Sequence, residues 1–260
     1  MNNNDLSKLI QIGVDNHQIP QYLFKYRTID STIKILENNS LWFSKPNEFN
    51  DPFDCQIIPN TENTLEEIES FIRRNSKNKL NNREVKNLAF ETFNTPNRWK
   101  QILENTFSKI INNTGICCFA RNEKNLLMWS HYSNFHKGVC IKFDILKDKD
   151  FFVYPLSVNY RDDYPNYNHL KSNDKDLVND IVLSKSKDWC YEQEIRVIKI
   201  KKNGLIEFKK DSLVEIIFGC KTSNEDIEKI VLTAKQKKFN IKFKKAKKKN
   251  REFALEIIDF

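Results

Sequence analysis

Glycine and proline are scarce in this chain: 5 Gly and 7 Pro among 260 residues. That scarcity argues against a fibrous or linker-rich protein. It also leaves no room for a glycine-rich phosphate loop, neither G-x-G-x-x-G nor a Walker-type lysine loop. No apolar run approaches the roughly 18 residues a membrane helix needs. The start, Met-Asn-Asn-Asn-Asp, lacks the basic and apolar regions of a secretory leader, so a soluble cytoplasmic protein without membrane association is expected. Six cysteines are scattered without any C-x-x-C pair, and the four histidines, at 17, 131, 136 and 169, do not fall at zinc-site spacing with them. Reduced cysteines packed as small hydrophobes inside strands are the expectation.

What is present is an aromatic-rich core and an excess of positive charge. The chain is 39% apolar with 19 Phe, enough for one large domain over residues 1–260. Formal charge is +8, concentrated in Lys235–Lys238 and Lys242–Arg251. Such a run is ordinarily a solvated face. It could also meet nucleic acid or an acidic protein, although little aromatic residue interrupts it.

Hydrophobic periodicity predicts strands at Tyr22–Arg27, Leu41–Ser44, Ile116–Phe119, Val139–Phe143 and residues 151–160. Further strands are expected at the end of Trp189–Ile198, at Leu205–Phe208 and Leu213–Phe218, and at Ile241–Phe243 and Phe253–Ile258, on either side of the lysine run. A helix capped by Asp30 or Ser31 and ended by Asn38 or Asn39 follows the first strand, and Ser223 with Asp226 caps another. Asn125–Tyr132 and Leu177–Ser186 read as helical. Residues 60–112 form a helical insertion with Leu65, Ile68, Phe71 and Ile72, then Val85, Leu88 and Ala89, then Trp99, Ile102, Leu103, Phe107 and Ile110 on inward stripes. The fold class is therefore α+β: a mixed, largely antiparallel sheet with this insertion and a basic β-α-β-β segment at 205–260.

Two stretches carry candidate chemistry. Around the prolines of Lys45–Cys55, Asn50, Asp51 and Asp54 lie on an irregular loop with Phe49 and Phe53 available to anchor it. Turn chemistry, with the carboxylates capping the loop's own backbone, is the alternative. In Tyr191–Arg196, alternation puts Glu192, Glu194 and Arg196 on one strand face, either as a structural ion-pair ladder or as a site whose carboxylates are raised by burial. Asp51, Asp54, Glu192 and Glu194 around Mg²⁺ would make a metal-dependent hydrolase or nuclease. Trp42, Trp129 and Tyr132 as a recognition pocket would make a non-enzymatic binding or immunity module. His131 points away from the Leu126–Trp129–Tyr132 face of its helix.

In order along the chain stand Tyr26-Arg27, Leu41-Trp42-Phe43-Ser44, Phe49-Asn50-Asp51-Pro52-Phe53-Asp54, Leu127-Met128-Trp129-Ser130-His131-Tyr132, Gly138-Val139-Cys140-Ile141 and Tyr191-Glu192-Gln193-Glu194-Ile195-Arg196. Together they resemble the bacterial domain-of-unknown-function family 2971. That likeness implies an accessory or defence role and no settled activity. A second resemblance is to the ADP-ribosyltransferase fold, in which an Arg or His ends the first strand and a Glu-x-Glu closes the site. It implies NAD as substrate, with Tyr26, Arg27, Ser44, Asn50, Asp51, Trp129, His131 and Tyr132 about the dinucleotide. Glu194 would stabilise the cationic ribose and Glu192 would orient the acceptor, as in a toxin or defence effector modifying nucleic acid or protein. The Ser-Thr-Ser triplet of such enzymes is missing.

Overall fold

The computed structural model describes residues 3–56, 58–76, 79–153, 155–171 and 177–260. The chain divides into two compact units, one of residues 1–45, 114–158 and 188–260, the other of residues 46–113 and 159–187. Both helices and a mixed, largely antiparallel sheet are present, as the α+β reading expects.

In the first unit the elements are α1 (Asn3–Asp15), β1 (Tyr22–Arg27), α2 (Ile29–Asn38), β2 (Ser40–Phe43), β3 (Gly115–Ala120), α6 (Leu126–Tyr132), β4 (Val139–Asp144), β5 (Leu156–Ser157), β8 (Glu194–Lys199), β9 (Gly204–Glu207), β10 (Leu213–Phe218), α7 (Asn224–Gln236), β11 (Lys242–Lys248) and β12 (Leu255–Asp259). Eight strands form the sheet β12-β11-β10-β4-β1-β3-β8-β5. Only the β10–β11 pair is parallel within it. β2 and β9 pair separately and antiparallel.

Strand alternation sends Leu23 to one face of β1 and Phe24 and Tyr26 to the other. One face carries Leu23, Phe119, Ile141, Phe143, Ile195 and Val197, packed with Ile35 and Leu36 of α2 and Ile227 and Ile230 of α7. The opposite face carries Phe24, Tyr26, Ala120, Cys140 and Ile217 under Met128 and Trp129 of α6. Burial on both faces explains why these strands read as continuous apolar runs.

The cap of α2 is Thr28, ahead of the expected Asp30 or Ser31: its hydroxyl accepts from the Ser31 amide at 3.3 Å. Asn39 ends the helix in the left-handed conformation, φ 51°. Ser223 caps α7 as its sequence predicts, accepting from the Asp226 amide.

Two expectations in this unit need correction. Residues 151–160 do not form one strand: Phe151 and Phe152 are buried in a turn and only Leu156–Ser157 pairs with β8. Tyr154 lies outside the described residues. The lysine run does not separate two strands but is β11 itself. Its pairing with β10 and β12 and the burial of Ala246 outweigh poor lysine strand propensity, while long stems let the ammonium groups stay wet.

The second unit holds α3 (Leu65–Asn75), α4 (Asn82–Asn94) and α5 (Pro96–Asn112), with the short parallel pair β6 (Asn159–Arg161) and β7 (Ser184–Ser186). Thr64 with Glu67 and Asn81 with Glu84 make capping boxes that start α3 and α4. Ile68 and Ala89 pack with Leu170, and Leu103 and Phe107 with Tyr167. Leu88 and Ile102, expected inward, are exposed, because each stripe is narrower than its apolar content suggests. The side chain of Ile110 lies outside the described residues. Leu177–Ser186 is not a helix. One π-helical turn, Val178–Val182, gives way to β7, whose pairing with β6 takes over the backbone hydrogen bonds.

Candidate functional site

The α6 side of the sheet gathers the second candidate stretch. Asn125 caps α6, its side-chain oxygen accepting from the amides of Leu127 and Met128. The Trp129 indole donates to the Glu123 carbonyl at 2.7 Å and meets Tyr26 edge-on, centroids 5.2 Å apart. Tyr26 in turn donates to the Asn122 carbonyl at 2.9 Å. Burial first, then Cys140, pushes the Tyr26 phenol far up, so it stays neutral.

The same turn of chain grips residues 191–193. Asn125 Nδ2 donates to the Tyr191 carbonyl at 2.6 Å, and Asn122 Nδ2 to Gln193 Oε1 at 3.0 Å. From this corner Tyr132 donates to Glu192 Oε1 at 2.5 Å, and Tyr191 OH lies 3.0 Å from His131 Nδ1. His131 is exposed, turned away from the buried Trp129 as its helical position predicts.

Glu192 is not part of the strand. It closes a 3₁₀ segment, Lys187–Glu192, and Gln193 is left-handed at φ 45°. The corner replaces simple alternation as the reason Glu192 and Glu194 lie close in sequence and are both buried. Glu194 opens β8 opposite Ala120, itself opposite Phe24, and so lies on the Tyr26 face. Arg196 forks onto it, Nε to Oε1 at 2.8 Å and Nη2 to Oε2 at 3.2 Å, with both side chains buried. Burial, with Glu194 adding to it, pushes the Cys118 thiol well up. A bidentate guanidinium–carboxylate pair fixes both groups in direction as well as distance.

Arg27 ends β1 on the opposite parity to Tyr26. Its Nη1 donates to the Tyr26 carbonyl at 3.1 Å. Burial lowers the proton affinity of its guanidinium, offset by Cys117, Cys118 and Tyr132 nearby. Ser44 makes two backbone hydrogen bonds with Ile116, at 3.0 and 2.8 Å. Trp42 is exposed.

Asn50, Asp51 and Asp54 belong to the second unit. The Asp51 carboxylate accepts from the Phe53 amide at 2.9 Å, an Asx turn, and the Asp54 amide donates to the Asp51 carbonyl at 3.2 Å. Asp54 accepts from the Cys55 thiol at 3.4 Å and lies 4.0 Å from the buried Lys185 ammonium. Phe53 does not anchor this loop: it is 67% exposed, while Phe49 is half-buried. The hydrogen-bonded turn aims ring 53 outward, and the buried carboxylates do the anchoring. Beside it opens a polar cavity of about 400 Å³, whose walls include Asp54, Gln56 and, from α5, Glu104, Asn105 and Ser108. Those three α5 residues sit on the polar side of a helix read only for its apolar stripe, so nothing in the sequence singled them out.

Among the described residues, no three or more His, Cys, Asp or Glu side chains are grouped as metal ligands would be. Nor is any described helix long and apolar enough to cross a membrane.

The resemblance to the domain-of-unknown-function family holds over part of the chain: a family model described as "Protein of unknown function (DUF2971)" matches residues 128–197. That match opens in α6 and closes in β8, the two elements joined by the Tyr132–Glu192 contact. No curated protein and no solved structure matches the chain.

Proposed function

We propose that the α6–β8 corner is the active site of an ADP-ribosyltransferase-like enzyme using NAD as substrate. The observation that carries this reading is the 2.5 Å contact between Tyr132 and Glu192, beside the forked Glu194. It puts two buried carboxylates of fixed orientation on the face that also holds Tyr26 and Trp129.

In the reaction the bond between ribose C1′ and the nicotinamide nitrogen breaks, and its electron pair leaves with nicotinamide. Positive charge develops on the ribose. A carboxylate held in advance near that charge stabilises it without reorganising. Glu194 suits this task, since its carboxylate is buried and the fork fixes its direction. Glu192 aligns the acceptor, whose nucleophile forms the new bond to C1′ and releases a proton.

The test is nicotinamide release from NAD by the purified full chain. We expect turnover that survives a chelator and falls about 10²–10³-fold in Glu194→Gln, the usual cost of losing one preorganised electrostatic group. Thermal melts of Glu194→Gln and Glu192→Gln would separate lost chemistry from lost fold. Intact NAD after long incubation with folded protein overturns the reading. Loss of turnover on chelation would point instead to the metal-dependent hydrolase.

One observation favours a second reading, a binding module without chemistry. Both Glu194 oxygens receive hydrogen bonds from Arg196, as a purely structural pair would arrange. On that reading Glu194→Gln lowers stability and there is no turnover to lose.

A further inference from the structure

Net positive charge aids solubility, and lysines on a strand near a sheet edge also discourage edge-to-edge aggregation. That accounts for β11 but not for two phenylalanines beside it. Phe253, in the loop closing the β11–β12 hairpin, is fully exposed. The loop is pinned by the Lys249 amide donating to the Ala254 carbonyl at 3.0 Å, and Arg251 within it is left-handed at φ 62°. Phe135, between α6 and β4, is 65% exposed.

Phe135 is presented at a conformational cost. Asn134, Phe135 and His136 are all left-handed, with φ of 49°, 55° and 68°. For residues with a side chain that costs roughly 1–2 kcal/mol each. The surroundings hold the turn rigidly. The amides of Phe135 and His136 donate to the carbonyls of Ser130 and Trp129, and the His136 ring stacks on Trp129 at 10°. The Lys221 amide donates to the His136 carbonyl at 3.0 Å. A Cβ at Gly219 would lie 2.1 Å from that same carbonyl oxygen, so only glycine permits this approach.

His136 links the two aromatic sites. Its Nδ1 is buried without a hydrogen-bond partner among the described residues. Ala246 of β11 and Leu255 of β12 share a buried cluster with Trp129, on which His136 stacks, so the hairpin packs beside the turn that carries Phe135. Burial, then the Lys221 and Lys248 ammonium groups, hold the His136 pKa down. Lys249 bonds Glu252 at 3.1 Å, so part of its charge is spent locally. Lys221, Lys248 and Arg251 are exposed.

We propose that this hairpin tip and the turn after α6 form a binding surface for single-stranded nucleic acid, with Phe135 and Phe253 stacking on bases and Lys221, Lys248 and Arg251 meeting phosphates. Cations that track a backbone beside rings that accept any base are what such ligands need. Duplexes hide their base faces and should bind less well. The proposal stands without the NAD reading, because binding is measured without NAD; if both hold, it names the acceptor class.

The experiment is fluorescence anisotropy with a labelled 15-nucleotide pyrimidine strand, in DNA and RNA arms, against a duplex of equal length and anionic lipid vesicles. We expect saturable binding to single strands. Phe135→Ala and Phe253→Ala should each weaken it about 5–150-fold, the range that base–aromatic stacking supports. Lys248→Ala with Arg251→Ala should reduce the salt slope by about 1.4, two phosphates' worth for a single strand. The DNA and RNA arms show which polymer is preferred. All four positions are exposed, so unchanged melting temperatures are expected and will confirm intact folds. Absent binding overturns the proposal. So does binding equally tight to duplex or vesicles, or insensitive to both phenylalanine substitutions.

Discussion

Two stretches of this chain carry closely spaced acids among aromatic residues, and they bury their carboxylates by different physics. In Phe49–Asp54 the carboxylate of Asp51 serves its own backbone, accepting from an amide two residues on, and Asp54 meets Lys185 at 4.0 Å. In Tyr191–Arg196 both acids are held by side chains: Tyr132 reaches Glu192 across 60 positions, and Arg196 forks onto Glu194. The first pattern is turn chemistry that any Asn-Asp-Pro loop can adopt. The second orders side chains from separate elements around acids held away from water, and desolvation makes that arrangement costly to break.

The largest expected effect follows from that difference. Arg196→Met removes the guanidinium that forks onto the buried Glu194 carboxylate, which should cost about 3–5 kcal/mol in urea unfolding. Adding Glu194→Leu should recover most of the loss, since a well-packed apolar pair replaces a desolvated ionic one. A loss of under about 1 kcal/mol for the single change would mean the pair is wet, and the contrast between the two stretches would collapse.

A second way to sharpen the comparison uses Lys25, which alternates to the other face of β1 from Tyr26. Its ammonium donates to the Cys118 carbonyl at 2.6 Å and sits 4.8 Å over the Phe119 ring. Burial, then Arg27, lowers its pKa below the usual 10.5. Between the folded and unfolded values the unfolded chain binds more protons, so stability rises with pH through that window and levels off above about 10.5. The slope from this one group is at most about 1.4 kcal/mol per pH unit. Lys25→Met should flatten the alkaline limb of a denaturation series. A limb unchanged by the substitution would show that Lys25 is not the buried base.

How much of this was legible in the sequence depended on whether local signals agreed with tertiary pairing. β1, α2, β3, α6 and β4 were readable because apolar content, caps and the left-handed Asn39 all point the same way. The Glu194–Arg196 pairing was open to reading as an ion pair, since two residues apart on a strand means one face. The Glu192 corner was not, because a left-handed Gln193 has no sequence signature. β11 was missed because seven residues with five lysines form a strand only when neighbours supply the other half of the ladder. The aromatic residues near the basic run were missed for a related reason. Phe135 lies more than a hundred positions away and is brought there by the strand order, and Phe253 reads as the first residue of a strand rather than the tip of its loop.

The smallest effects belong to the first stretch and test its turn. Asp51→Ala removes the acceptor for the Phe53 amide and should cost about 0.5–1.5 kcal/mol, an ordinary hydrogen bond. Phe53→Ser, at a position 67% exposed, should fall within about 0.5 kcal/mol of the parent. Sequence reasoning would reverse that order, because Phe53 looks like the anchor and Asp51 like the free functional group. Paired urea titrations decide it. If Phe53→Ser proves the costlier change, the ring is buried in solution and the loop is held by its aromatics after all, which would leave Asp51 available for chemistry.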